Sequence, residues 1–173
     1  ELHWLSENDA LSGIYNRRFL EQRIAREFEN FKRHHSPISL IVADIDRFKT
    51  INDSFGHPVG DSVIRMVGQV FRKQVRLGDV AARIGGDEFV VLMPFTGTSE
   101  ALELVKRLQN DFSQALADDR RLLGTSLSFG IAAPHAEMKS HEKWMELADK
   151  ALYRAKAGKR GSVEVAGVES PQA

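Results

Sequence analysis

The 173 residues fit one domain with enough chain to bury a core. Lys plus Arg equal Asp plus Glu at 24 each, so no net field draws nucleic acid or an anionic membrane, and any anionic ligand needs a local cluster. The absence of cysteine excludes disulfide frameworks and thiolate zinc sites, and no apolar run approaches the roughly 20 residues of a membrane span. No secretory leader is visible, and a start at Glu1 rather than Met points to a piece of a longer chain.

Residues 1–8 read as the end of a helix arriving from an upstream segment or as an unstructured terminus. From Asn16, Phe19, Leu20, Ile24, Phe28 and Phe31 recur at helical spacing. This helix fades at His34-His35-Ser36-Pro37, where the two histidines read as solvated, dipole-favoured groups rather than metal ligands. Ile38 to Ile45 is a near-continuous apolar run of strand length, as in a strand covered on both faces. Residues 47–53 read as a short helix and Phe55 to Pro58 as a loop. Val59 to Arg76 is a second amphipathic helix with Val63, Val67, Val70 and Phe71 inward. Arg76 to Asp79 turns into a hairpin: strand residues on either side of Gly85-Gly86, a pair free to take positive φ. A third helix over 99–117, a charged exposed loop over 118–121, a strand over 125–133, a fourth helix over 141–157 and a short strand over 163–165 complete the order, with residues 167–173 as tail. This order, roughly α-β-α-α-β-β-α-β-α-β, predicts an α/β two-layer sandwich: a mixed central sheet carrying a β-hairpin and flanked by helices.

The unusual chemistry is acidic. Asp44 and Asp46 end a strand that is otherwise buried, where a carboxylate is costly to desolvate unless paired or metal-bound. Two residues apart on a strand, they share one face if the strand extends that far. Asp87 and Glu88 sit at the hairpin turn, where they are either solvated turn residues or ligands of a site. If the hairpin pairs beside the first strand, the acids converge. Carboxylates without thiolates and with few histidines suit a hard cation, Mg²⁺ or Mn²⁺, shared with substrate phosphates. Neither a G-x-x-x-x-G-K-[ST] loop nor a G-x-G-x-x-G fingerprint is present, and no nucleophile elbow marks a serine hydrolase. Lys156 and Arg160 share a face near the end of the last long helix, as phosphate contacts or as dipole-favoured cations.

These stretches resemble one family. Gly85-Gly86-Asp87-Glu88-Phe89 is the pentapeptide that names the GGDEF domains, the diguanylate cyclases. Asp9-Ala10-Leu11-Ser12-Gly13-Ile14-Tyr15-Asn16-Arg17-Arg18 resembles the family's D-x-L-T-G-L-x-N-R-R opening. Asp44-Ile45-Asp46-Arg47-Phe48-Lys49, with Ile51-Asn52-Asp53 and Gly56-His57-Pro58-Val59-Gly60-Asp61, resembles D-x-D-x-F-K-x-x-N-D-x-x-G-H-x-x-G-D. Ser126 to Ile131 and Ala148 to Lys156 resemble the closing motifs. The domain is then expected over residues 9–166, with a nucleotide-cyclase or polymerase-palm-like fold.

The resemblance implies condensation of two GTP to cyclic di-GMP and two pyrophosphates across a homodimer, each subunit holding one GTP. It implies two Mg²⁺ (or Mn²⁺) per half-site on Asp44, the Ile45 carbonyl, Asp87 and Glu88, with Asp87 and Glu88 catalytic. Asn52 and Asp61 would read the guanine edge, with His57 lining that pocket. The amides of Phe48 and Lys49, with Lys156 and Arg160, would hold the phosphates, and Gly85 and Gly86 would let the nucleotide approach the backbone. Arg76 and Asp79, an R-x-x-D pair, with Arg107 on the next helix, would bind cyclic di-GMP as an inhibitor. A helix-ending arginine followed by a turn aspartate is the plain alternative for that pair. Departures are mild: Ser12 for Thr, Ile14 for Leu, and Gly161 where Asn is common after Arg160. The expected setting is cytoplasmic, free or tethered through an upstream sensory, dimerisation or membrane domain, with neither nucleic acid nor membrane touched by the domain itself. A non-catalytic module binding GTP or cyclic di-GMP is the alternative, which the intact acids disfavour.

Overall fold

The computed structural model describes residues 6–167. The expected readings for residues 1–5 and 168–173 lie outside the described residues. Twelve elements follow in order: β1 (Tyr15–Asn16), α1 (Arg17–His34), β2 (Ile38–Ile45), α2 (Phe48–Phe55), α3 (His57–Gln74), β3 (Val80–Gly85), β4 (Glu88–Pro94), α4 (Thr98–Leu116), a 3₁₀ turn (Arg120–Leu122), β5 (Leu127–Ala132), α5 (His141–Ala157) and β6 (Val163–Val165).

The six strands form one mixed sheet in the order β1-β3-β4-β2-β5-β6. β2 pairs antiparallel with both β4 and β5, which places the hairpin beside the first long strand. The outer pairs, β1 with β3 and β5 with β6, are parallel. The expected mixed sheet flanked by helices is therefore present, but with three layers rather than two. The apolar run of β2 explains the difference. Ile41, Ala43 and Ile45 face a core shared with α3 and α4, including Val67, Phe71, Leu104 and Phe112. Leu40 and Val42 face the opposite core, with Leu20, Ile24 and Phe28 of α1 and Trp144 and Ala148 of α5. Alternation on a strand buried on both faces requires a helical layer on each side.

Local chemistry sets the element ends. Asn16 caps α1, its Oδ1 accepting from the Phe19 N–H at 3.0 Å. Several expected boundaries shift by one or two residues. α3 begins at His57 inside the expected loop, because Gly56 takes φ +85° and Pro58 suits the first helical turn. It ends at Gln74, so the whole of Arg76 to Asp79 is turn. The expected exposed loop at 118–121 contains the start of the 3₁₀ turn, whose Leu122 is buried. β1 has only two residues, too short for a periodic signal. On the far side of the sheet α5 approaches β5 closely: a Cβ on Gly130 would lie 2.3 Å from both the Ala148 carbonyl oxygen and the Leu152 nitrogen.

Candidate active site

β2 delivers Asp44 to the end of the sheet opposite Glu88 of β4. The hairpin turn closes on the same point, and the Asp87 carbonyl accepts from the Ile45 N–H at 3.2 Å. Gly85 at φ +151° and Gly86 at φ +48° make this tight turn, and a Cβ on either would meet open space. Backbone conformation rather than crowding therefore selects glycine there. The hairpin thus pairs beside β2, the condition on which the acids were expected to converge, and brings Asp87 and Glu88 to the Asp44–Ile45 end of that strand.

The electrostatics of the group are unbalanced. Asp44 is pushed up to about 7, first by burial and then by the neighbouring Asp87 carboxyl, against the Lys156 ammonium, which pulls the other way. Lys156 pairs with Asp44 Oδ2, while Asp44 Oδ1 is buried with no hydrogen-bond partner. Lys156 thus meets an acid rather than standing alone at a helix end.

Asp46 behaves differently. The strand stops at Ile45, and Asp46 is buried, accepting from Ser126 Oγ at 2.6 Å, Ser128 Oγ at 2.8 Å and the Gly161 N–H at 2.9 Å. Ser128 stands opposite Asp44 on β5, but the strand ends before Asp46, so the condition for a shared strand face is not met, and Asp46 spends its oxygens inside the protein. It ties the turn after α5, which carries Arg160, to the end of β2. Gly161 in that turn sits at φ +72°. Glycine and asparagine are the residues that visit this region most readily, so the departure at 161 preserves the turn.

α2 starts immediately after the acids. Its N-cap residue, Arg47, has φ +56° and makes no capping side-chain bond. The first-turn amides of Phe48 and Lys49 are donors that an α-helix leaves unpaired, and they suit an anion. The Lys49 ammonium itself is paired with Asp53 at 2.6 Å. Arg160 lines a cleft of about 310 Å³ with Asp46, Arg47 and Thr50 at this end of the sheet.

Asn52 lies on α2 against α3. A Cβ on Gly60 would fall 1.9 Å from Asn52 Oδ1, so glycine at 60 makes the room for that carboxamide. Asn52 Oδ1 has no hydrogen-bond partner in the protein, an arrangement that is unfavourable unless a donor arrives. His57, exposed, and Asp61, half-buried, belong to the first turns of α3. The three expected guanine contacts therefore share one α2–α3 corner, adjoining the uncapped start of α2.

Sequence reasoning missed two features. Arg83 donates through Nε to the Gly86 carbonyl at 3.0 Å and through Nη1 to both Asp9 oxygens at 3.2 Å. Asp9 also accepts from the N–H and Oγ of Ser12 at 2.8 and 2.7 Å. The opening motif is thereby bolted to the hairpin turn. The second feature is a cleft of about 820 Å³ between α1 and α5, lined by Arg17, Ile84, Glu88, Asp149, Tyr153 and Lys156 among others. Burial and the charge on Glu88 both raise Asp149. Asp9, Arg17 and Asp149 all stand inside the motifs that carried the resemblance, which was the available signal.

Residues 6–162 match the family described as "Diguanylate cyclase, GGDEF domain". The chain belongs to this family. The probable diguanylate cyclase DgcC of Escherichia coli K12 is 36% identical over 165 residues, 95% of this chain and 44% of DgcC. The response regulator PleD of Caulobacter vibrioides is 35% identical over 162 residues, 92% of this chain and 36% of PleD. This GGDEF chain thus spans less than half the length of those curated relatives. Among solved structures, the GGDEF domain of DgcB from Caulobacter crescentus, in complex with c-di-GMP, matches at TM-score 0.87 and 30% identity over 94% of this chain and 97% of that one. A GGDEF domain of PA1120 from Pseudomonas aeruginosa matches at TM-score 0.82 and 36% identity, covering 92% and 94%.

GGDEF cyclases generally need a divalent metal, and the residues present fit one. Asp44 offers a buried, unpartnered oxygen beside the Asp87 carboxyl, with Glu88 opposite it on β4. Among the described residues no three His, Cys, Asp or Glu side chains are grouped so that they could hold a metal ion by themselves. A small hard cation tolerates that, because it keeps waters and takes substrate phosphates as its remaining ligands.

Among the described residues no helix is long and apolar enough to cross a membrane.

Proposed function

We propose that this GGDEF domain is an active diguanylate cyclase. It joins two GTP into cyclic di-GMP and two pyrophosphates, each half-site presenting one GTP to the other across a homodimer. The observation that carries the reading is the meeting of Asp44, Asp87 and Glu88 at the end of β2, next to the uncapped amides of Phe48 and Lys49. Those amides, with Lys156 and Arg160, hold the phosphates. Asn52 and Asp61 accept from the guanine N–H groups, and His57 borders that pocket. Adenine offers the wrong donors to this pair.

In each half-reaction the 3′-oxygen of one GTP bonds to the α-phosphorus of the other. The bond from that phosphorus to the pyrophosphate oxygen breaks, and pyrophosphate leaves. The 3′-hydroxyl proton passes to a carboxylate, and Asp87 on the rigid turn is the residue assigned to receive or direct it. Two Mg²⁺ or Mn²⁺ held by Asp44, the Ile45 carbonyl, Asp87 and Glu88 would supply charge stabilisation at the transferring phosphate. The reading also assigns product inhibition to Arg76, Asp79 and Arg107, control to whatever sensory or dimerising segment joins the half-sites in the full-length protein, and a cytoplasmic supply of GTP.

The test is to incubate the dimeric protein with GTP and Mg²⁺ and assay for cyclic di-GMP. Product formation supports the reading. Tight GTP binding without product would replace it with that of a regulatory binding module.

A further inference from the structure

The turn after α3 and the outer face of α4 enclose a small cavity of about 130 Å³, lined by Gln74, Arg76, Asp79, Glu100, Glu103 and Arg107 among others. The R-x-x-D spacing is a closed turn in its own right. The Arg76 N–H donates to Asp79 Oδ2 at 2.9 Å, and the Asp79 N–H donates to the Arg76 carbonyl at 3.1 Å. This turn fixes the backbone of Arg76. The position of Arg107, exposed on a separate helix, depends on something else.

That something is Gln74, the last residue of α3. Its Oε1 accepts from Arg107 Nε at 3.0 Å, and its Nε2 donates to Asp111 Oδ2 at 2.6 Å. Asp111, one helical turn beyond Arg107, is also 3.5 Å from the Lys73 ammonium. An acid accepts only, so Asp111 decides which end of the Gln74 carboxamide meets Arg107. Engaging Nε leaves the two Nη groups of the guanidinium for an anion, in a plane set from behind. Of the other acids lining the cavity, Glu100 accepts from the Gly97 N–H at 2.7 Å and Glu103 from Lys106 at 2.8 Å, and Glu103 also feels the Arg107 charge one helical turn away.

We propose that Gln74, held by Asp111, is the positioning residue that aims Arg107 into the Arg76–Asp79 turn for a phosphate of the cyclic dinucleotide. The inference rests on the inhibitory-site reading above and gives that site a part none of the expected residues supplies. Without Gln74 the arginine keeps its charge but loses its direction.

The experiment measures calorimetric binding of cyclic di-GMP together with the component of inhibition that excess GTP does not relieve. Gln74→Leu should weaken both by about tenfold, the scale of one hydrogen bond to a charged group, with the uninhibited initial rate unchanged. Gln74→Glu sets two carboxylates together and should weaken binding at least as much. Adding Asp111→Asn restores a donor against Glu at 74 and an acceptor for Arg107, and should return affinity to within about twofold of the parent. A merely structural role would not yield that rescue. Full-affinity or tighter binding by Gln74→Leu, or no rescue by the exchanged pair, overturns the proposal. Arg76→Ala separates the two levels. If it leaves inhibition intact, the inhibitory site itself is wrong; if it abolishes inhibition while Gln74→Leu does nothing, only the positioning role falls.

Discussion

Gly60→Ala tests the guanine corner without touching a residue assigned to bind. The new Cβ would lie 1.9 Å from Asn52 Oδ1 and 3.2 Å from the Phe48 ring. Ordinary contact begins near 3.4 Å, so the Asn52 carboxamide must retreat by about 1.5 Å or rotate away, a distance that ends a hydrogen bond. The helix itself gains, since alanine is favoured over glycine inside a helix by up to about 1 kcal/mol. Global stability should therefore stay within about 1 kcal/mol of the parent. Losing one or two neutral hydrogen bonds to guanine removes about 1–2 kcal/mol, or roughly five- to thirty-fold in affinity. The assay is GTP binding by calorimetry in parallel with KM, with ATP as the competing base. The substitution should raise KM and Kd for GTP together, narrow the preference over ATP, and change kcat little, because the reacting atoms lie at the other end of the nucleotide. Unchanged GTP affinity in a folded Gly60→Ala protein, reproduced in Asn52→Ala, would refute the assignment of Asn52 to the base.

Asp87→Ala should abolish turnover without lowering the thermal midpoint, since the bond from the Ile45 N–H goes to the Asp87 backbone carbonyl and its carboxyl only opposes the charge on Asp44; a near-normal rate would remove it from the chemistry. Asp9 and Asp46 give two stability predictions. For Asp9, burial alone would raise the carboxyl, but bonds from Ser12 and the charge and bonds of Arg83 outweigh it, so its pKa lies below the ordinary value. A depressed carboxylate stabilises the fold above its unfolded pKa of about 3.9 and loses that contribution as pH falls through the folded value. The urea-midpoint difference between the parent and Asp9→Asn should therefore hold from pH 7 to about pH 5 and close below about pH 4; a gap that widens on acidification contradicts the ion pair. Asp46→Ala strands donors from Ser126, Ser128 and Gly161 and should cost about 2 kcal/mol or more, measured by urea unfolding, whereas Asp44→Ala removes an unsatisfied oxygen and should cost clearly less. Equal losses would erase the distinction drawn between the two acids.

Much of this molecule was legible because its signals are periodic or local. The β2 run from Ile38 to Ile45 fits a strand covered on both faces, and the structure has it so. The same observation already implied a third layer, which element order alone did not reveal, since order does not say on which face each helix lands. The glycine pair and its acids marked the hairpin. The pairing of Asp44 with Glu88 followed once β4 lay beside β2. What stayed hidden depends on long-range geometry with no sequence period. β1 is two residues held by pairing with Ala82 and Arg83. The Asp9–Arg83 bridge joins residues 74 positions apart. Gln74 and Asp111 belong to no motif and become a pair only where α3 crosses α4.

Asp44 and Asp46 show where residue-level chemistry stops deciding. Both are aspartates at the end of one buried strand, where an unpaired carboxylate is costly. What separates them is the partner set, fixed by which way the chain turns after Ile45. Arg47 at positive φ starts α2 and leaves Asp46 under the Gly161 turn, where three donors converge on it. Asp44, still in the strand, receives one ammonium and faces Asp87 across the hairpin. A carboxylate with three internal donors has no need of a ligand, and one with a buried unpartnered oxygen does. The two positions of one D-x-D motif therefore divide the work. Asp46 holds the turn that carries Arg160 against the sheet, and Asp44 keeps an unpartnered oxygen, which the proposed function gives to a cation. A fold that used both acids for metal would leave the Arg160 turn without this anchor to the end of β2.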